Sequence, residues 1–185
     1  MSRDFLFADV ALSRRLEQAE GEACVDFAAA GQRLYPEKGA KWIACAGACA
    51  VFDGIDSPVT QTFGLGLFEE LAPRSLDFIE RFFLDLKAPV FHEVSPFIGA
   101  AALDLLCSRA YRPTEISNVL VRPLTDVGNE ECRIATSPNS GETSRVDVRV
   151  IDPDQSRLWS DISAKGWSHE HPELRAFLLE MAPLP

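Results

Sequence analysis

His92-Glu93 sets an imidazole beside a carboxylate, two groups that move protons near neutral pH. In a strand, adjacent side chains point to opposite faces, so the two cannot easily serve one reacting atom. Glu93 is the better candidate for chemistry: a base that takes a proton from an amine through water. The competing reading is a plain charged residue at a sheet end. His169-Glu170-His171 offers three potential metal ligands in a polar turn, with no cysteine or histidine partner at convincing spacing. A solvated loop is the expectation there, and no metal. Five cysteines, Cys24, Cys45, Cys49, Cys107 and Cys132, form no CxxC pair. Buried reduced thiols explain them better than a disulfide framework. Cys45 and Cys49 share one face of the strand expected over residues 40–52 but lie about 13 Å apart along it, too far for a shared metal or a disulfide. Gly-x-Ser-x-Gly is absent, which removes the nucleophile-elbow hydrolases.

The groups above sit in a chain of 185 residues with net charge -10. That length fits one domain, or one domain and a fragment of another. The acidic balance repels phosphate backbones and anionic lipid, so neither nucleic acid nor a membrane is an expected partner. It favours cationic amines. The first residues hold only a brief apolar run before Asp9, too short for a signal-peptide core. With no apolar stretch of membrane-spanning length either, a cytoplasmic location is expected.

Periodicity predicts a helix over residues 8–34, with Leu12, Leu16, Ala19, Ala23, Phe27, Ala30 and Leu34 on its core face. Gly21 and Gly31 weaken it locally, and Pro36 ends it. Residues 40–52 are apolar on both alternating faces and read as one interior strand. Strands at 59–68 and 88–94 alternate with helices at 73–87, carrying Leu76, Ile79, Phe83 and Leu86, and at 96–110. A strand at 115–122 follows. Residues 125–144 are rich in Gly, Asn, Ser and Pro, which predicts a loop or irregular hairpin. A strand at 145–151 and helices near 155–165 and 172–181 complete the chain. The order predicts an α/β or α+β fold around one sheet.

Two stretches resemble the GNAT N-acetyltransferase superfamily. Gln61-Thr62-Phe63-Gly64-Leu65-Gly66 fits its Q/R-x-x-G-x-G/A pattern. Leu103-Asp104-Leu105-Leu106-Cys107-Ser108-Arg109-Ala110-Tyr111-Arg112-Pro113 is similar to its closing helix and turn, where a Gly-Phe or Gly-Tyr pair precedes a strand. Together with the runs from Val94-Ser95-Pro96-Phe97 and Asn118-Val119-Leu120-Val121-Arg122, this looks like the N-terminal lobe of a tandem GNAT protein over residues 1–124. Ile151-Asp152-Pro153 through Gly166-Trp167 resembles the opening of a second lobe, cut short, with 125–144 between them and 145–185 as its strand and helices.

The resemblance implies a mixed, mostly antiparallel sheet flanked by helices. It implies acetyl-CoA as co-substrate, with Gln61, Gly64, Leu65 and Gly66 offering backbone N–H groups to its pyrophosphate. An amine would then be acylated by an N-acyltransferase reaction. The sequence departs from the family at two positions. Aligning Tyr111 with the family's aromatic puts Leu106 where a general-acid tyrosine stands, and Gly99 where an asparagine is common. Leucine donates no proton; Tyr111 is a substitute candidate, against a reading as packing beside the turn. The rival expectation is a non-catalytic GNAT-like lobe that serves dimerisation or binds a small ligand. A homodimer is expected in either case, two lobes imitating a tandem.

Overall fold

A computed structural model of the chain describes residues 7–121 and 151–181. The chain forms two compact units, a larger one ending at Ile116 and a smaller one beginning at Ser117. The larger is α+β: three helices around a three-stranded antiparallel sheet.

Helix α1 spans Val10–Leu34. Asp9 caps it by accepting the Leu12 N–H at 2.7 Å. Its buried face is offset from the predicted stripe: Gly21, Ala28, Ala30 and Gly31 are buried, with Cys24 and Val25 beside them, while Ala19 and Ala23 are exposed. The two glycines that weaken the helix in isolation therefore mark its contact face. A Cβ on Gly21 would stand 3.5 Å from the Phe63 Cβ, and one on Gly31 only 3.0 Å from an Asp53 carboxylate oxygen. Small residues let the helix lie close on the sheet.

The single strand expected over 40–52 is two. β1 (Lys41–Cys45) and β2 (Ala48–Phe52) pair antiparallel across an Ala46-Gly47 turn, with Cys45 opposite Ala48. Both turn residues have positive φ, 52° and 75°, the two-residue hairpin geometry. Alanine hides that signal, which asparagine or aspartate normally gives. Gly47 has no alternative, since a Cβ there would fall 2.4 Å from the Phe68 Cβ. Cys45 and Cys49 consequently do not share a face. Cys49 packs with Phe63 under α1, and Cys45 approaches the Ser75 carbonyl on the other side.

β3 is short, Gln61–Phe63, and pairs with β2 through Val51 and Gln61 at its start. The strand expected to reach 68 stops because Gly64 and Gly66 take φ of 74° and 71°, and Leu67 closes a turn on the Gly64 carbonyl. Of the strand expected at 88–94, one parallel bridge exists, Thr62 with His92. Its bonds are Thr62 N–H to Phe91 O at 3.0 Å and Glu93 N–H to Thr62 O at 2.8 Å. Residues 115–121 form no strand.

Helix α2 (Pro73–Asp85) opens on proline and buries Leu76, Ile79 and Phe83. The helix expected at 96–110 is broken. Pro96–Ile98 make a 3₁₀ turn capped by Ser95, Gly99 leaves helical space at φ 84°, and α3 runs Ala100–Ser108. Leu76, Ile79, Phe83, Ala102 and Leu106 meet Ala48, Ala50 and Phe52 in the main core, on the face of the sheet away from α1.

In the smaller unit, Pro153–Gln155 lead into α4 (Ser156–Trp167), which packs on α5 (Leu174–Glu180). The Ser160 hydroxyl donates to the Leu178 carbonyl. Most of the strand expected at 145–151, and the loop at 125–144, lie outside the described residues. Among the described residues no helix is long and apolar enough to cross a membrane.

Candidate functional site

The glycine turn is built into the molecule by α1. The N–H of Gly64 donates to a Glu17 carboxylate oxygen at 2.8 Å. One turn earlier on α1, the Arg14 guanidinium donates to the Leu67 carbonyl at 2.8 Å, and the Ser13 and Ser95 hydroxyls meet at 2.7 Å. Ser13, Arg14 and Glu17 share one side of the helix, as residues three and four apart must. Leu65 points into the core and is fully buried. Around Gly66 stand Ile98, Leu71 and Ala102, each about one van der Waals contact from where a Cβ would sit. Gln61 heads β3, half-buried. Residues 67–72 separate the turn from α2, so it does not open a helix and has no helix N-terminal field behind it.

Glu93 and its neighbour His92 face opposite ways, as strand geometry requires. Glu93 looks to the α1 side. Burial is the main cause that lifts its carboxyl to about 7, and the charges of Glu20, Glu17 and Glu115 add to it. Glu17 is raised too, mostly by burial, with the Gly64 N–H pulling the other way and Glu20 adding to the rise. Cys24 lies in the same region, its thiol pushed up to about 12 by burial, then by Glu20, Cys49 and Glu93. Cys49 is pushed up to about 11 by burial. Thiols held so far from ionisation are weak nucleophiles.

His92 looks to the other side. Its ring lies 4.9 Å from that of Tyr111, tilted 53°. Both ring nitrogens are buried and without a hydrogen-bond partner, as is the hydroxyl of the bridged Thr62. Burial lowers the imidazole to about 4, which keeps it neutral. Tyr111 donates its hydroxyl to Glu80 on α2 at 3.1 Å. Arg109 holds the same Glu80 at 2.7 Å and Asp77 at 2.6 Å. Burial, then the Glu80 carboxylate, raises the Tyr111 phenol.

The two candidate catalytic residues are therefore not brought together: Glu93 faces carboxylates on α1, and Tyr111 belongs to an ion-paired link between α2 and the end of α3. Sequence reasoning missed Glu17 and Glu20. The signal was there in Ser13, Glu17, Gly21 and Cys24, a row of small and polar residues on one helix side. Chemically, the Glu93 side can exchange a proton near neutral pH and carries a negative potential. The glycine turn presents an N–H already engaged by an anion of the protein. Among the described residues, no group of three or more His, Cys, Asp and Glu is placed to hold a metal ion. In comparisons with known proteins, no family model, curated protein or solved structure matches the chain.

Proposed function

We propose that the chain is a GNAT-like lobe that acts by association and ligand binding and transfers no acetyl group itself. The observation that supports this most is the Glu17 carboxylate on the Gly64 N–H. A backbone donor that would hold a pyrophosphate oxygen already holds an oxygen of the protein, and Glu20 close by adds negative charge. Bringing the several negative charges of acetyl-CoA to that place opposes Coulomb's law at short range. Leu106 at the general-acid position, buried in the core, agrees with the same reading.

Association is supported by β1. Among the described residues it pairs only with β2, and its Trp42 is 39% exposed. An edge strand with an exposed aromatic residue is a surface that a second copy can extend. Two measurements test the proposal. Acetyl-CoA at millimolar concentration is expected to leave the melting temperature unchanged, because only a ligand that binds the native state raises it. Light scattering at micromolar concentration is expected to give the mass of a dimer. A CoA-dependent rise in melting temperature with acetylation of any amine would overturn the first half; a monomer mass would overturn the second.

One observation favours a different reading, an acetyl-CoA-dependent N-acyltransferase acting on an amine. A carboxyl lifted to about 7 is a suitable base for an ammonium group at neutral pH. Glu93 would accept the ammonium proton, the free amine would attack the acetyl carbonyl, and the CoA thiolate would leave and take up the proton that the new amide nitrogen gives up. On this reading Glu93→Gln abolishes turnover while the folded protein keeps its melting temperature within a few degrees.

A further inference from the structure

Among the described residues, a bridge to Thr62 is what pairs residues 91–93 with the sheet, and the side chains of His92 and Glu93 enter faces where a charge is badly placed. On one face, the His92 ring is buried against Tyr111 with neither nitrogen partnered. The charged groups beyond it, Glu80 of α2 and Arg109 at the end of α3, are tied to Tyr111 and to each other. An imidazolium there would be buried with no acceptor. On the other face, Glu93 meets the carboxylates of Glu17 and Glu20 on α1 and of Glu115, with the Cys24 thiol nearby. A fourth carboxylate there is repelled.

We propose that docking of residues 91–93 on β3 moves a proton from His92 to Glu93, so that the dipeptide is zwitterionic when open and neutral when docked. The balance closes within the chain: an imidazolium N–H bond breaks, a carboxyl O–H bond forms, and water carries the proton between them. No net proton enters or leaves. Between pH 4.5 and 6.5 the segment is then a strap whose grip does not depend on pH while both partners are present, and becomes pH-gated once either is lost.

The sign of each half can be worked out. His92 falls from its ordinary 6.5 to about 4 on docking, so its contribution is full above 6.5 and is lost as pH falls towards 4. Glu93 rises from 4.5 to about 7, so its contribution is full below 4.5 and is lost as pH rises towards 7. Between 4.5 and 6.5 the slopes are equal and opposite.

Amide hydrogen exchange on the intact protein tests this at the two bridge amides, Thr62 and Glu93, with the β1–β2 ladder as internal reference. In the wild type their protection relative to the ladder is expected to stay level from pH 5 to 6.5. In Glu93→Gln it falls roughly tenfold for each pH unit of acidification, and in His92→Phe it rises by the same factor, one proton each. A sloping wild type, or variants that track it, overturns the proposal. If either variant does not fold, NMR of the His92 ring in the wild type decides. No titration above about pH 5 is expected, and a midpoint near the ordinary histidine value overturns the idea.

Discussion

Tyr111 donates its backbone N–H to the Leu106 carbonyl at 3.1 Å, closing α3 in a loop around Ala110. The Ala110 N–H reaches the Cys107 carbonyl at 3.0 Å, and Ala110 takes φ 63°. This is a Schellman closure, with Leu106 and Tyr111 making its apolar contact in the core. The same closure ends α2: Ala88 bonds to the Phe83 carbonyl, Lys87 to that of Leu84, and Lys87 takes φ 58°. Both left-handed positions carry a residue with a Cβ, which costs about 1–2 kcal/mol relative to glycine. Ala110→Gly and Lys87→Gly should each stabilise by about 0.5–1 kcal/mol once glycine's greater unfolded-state freedom is subtracted. Urea denaturation measures this, and a loss of stability in both variants would contradict the closure.

Leu106 is the residue on which that closure turns. It is buried among Leu71, Ala102 and the partly buried Tyr111 and Leu105, with 6% of its surface exposed. Leu106→Ala should cost about 2–5 kcal/mol, the range for a leucine side chain removed from a packed core. A cost under about 0.5 kcal/mol, typical of surface sites, would mean the position is open.

The link between Glu17 and Gly64 separates charge from hydrogen bonding. Gly64→Val is a poor probe of it: φ is 74° and a Cβ would fall 2.8 Å from the Phe68 ring, so the fold itself would suffer. Glu17→Gln keeps an oxygen for the Gly64 N–H and removes the charge. Because burial holds the folded Glu17 above its ordinary value, its favourable contribution is full at acid pH and is lost as pH rises through the folded value. Glu17→Gln should therefore be as stable as wild type or up to about 1 kcal/mol more stable at pH 7. The gain should vanish near pH 4. Glu17→Ala, which leaves the Gly64 N–H without its acceptor, should be about 1 kcal/mol less stable than Glu17→Gln at both pH values. Denaturant curves at the two pH values check all three outcomes.

Helices were legible in the sequence because their stripes are apolar and several ends are marked: Pro36 after α1, Pro73 opening α2, Ser95-Pro96 before the 3₁₀ turn. The Asp9 cap of α1 was not, since the helix was expected to start at residue 8. Strands were less legible. The hairpin at Ala46-Gly47 looks like continuous strand because alanine, a residue without turn preference, stands where its positive φ goes unannounced. Gly64 and Gly66 were visible as a pattern, yet whether they face a ligand or the protein depends on α1, more than forty residues away in sequence. The opposite orientations of His92 and Glu93 followed from strand geometry alone. The company of Glu17 and Glu20 around Glu93 did not, since it arises from packing between a helix and a sheet edge.

The packing of α1 on the sheet can be tested by covalent capture. A Cβ on Gly21 would stand 3.7 Å from the Cys49 Cβ, inside the usual 3.5–4.5 Å range for a disulfide. Its other neighbour, the Phe63 Cβ at 3.5 Å, is in ordinary contact, so a side chain fits. Gly21→Cys, made with Cys24→Ser to remove the nearby competing thiol, should form a bond with Cys49 under a mild oxidant. The bond lowers the mass by about 2 Da, two hydrogens lost to the oxidant, and reducing agent restores it. Burial holds the Cys49 thiol up to about 11, so the thiolate is scarce at neutral pH and closure should be faster at pH 9 than at pH 7. The loop enclosed is roughly thirty residues, which predicts about 3.6 kcal/mol of stabilisation. Mass spectrometry after protease digestion reads the linkage. A folded variant that stays fully reduced at pH 9 would show that Gly21 does not face Cys49, and with it the placement of Glu17 over the glycine turn would fail.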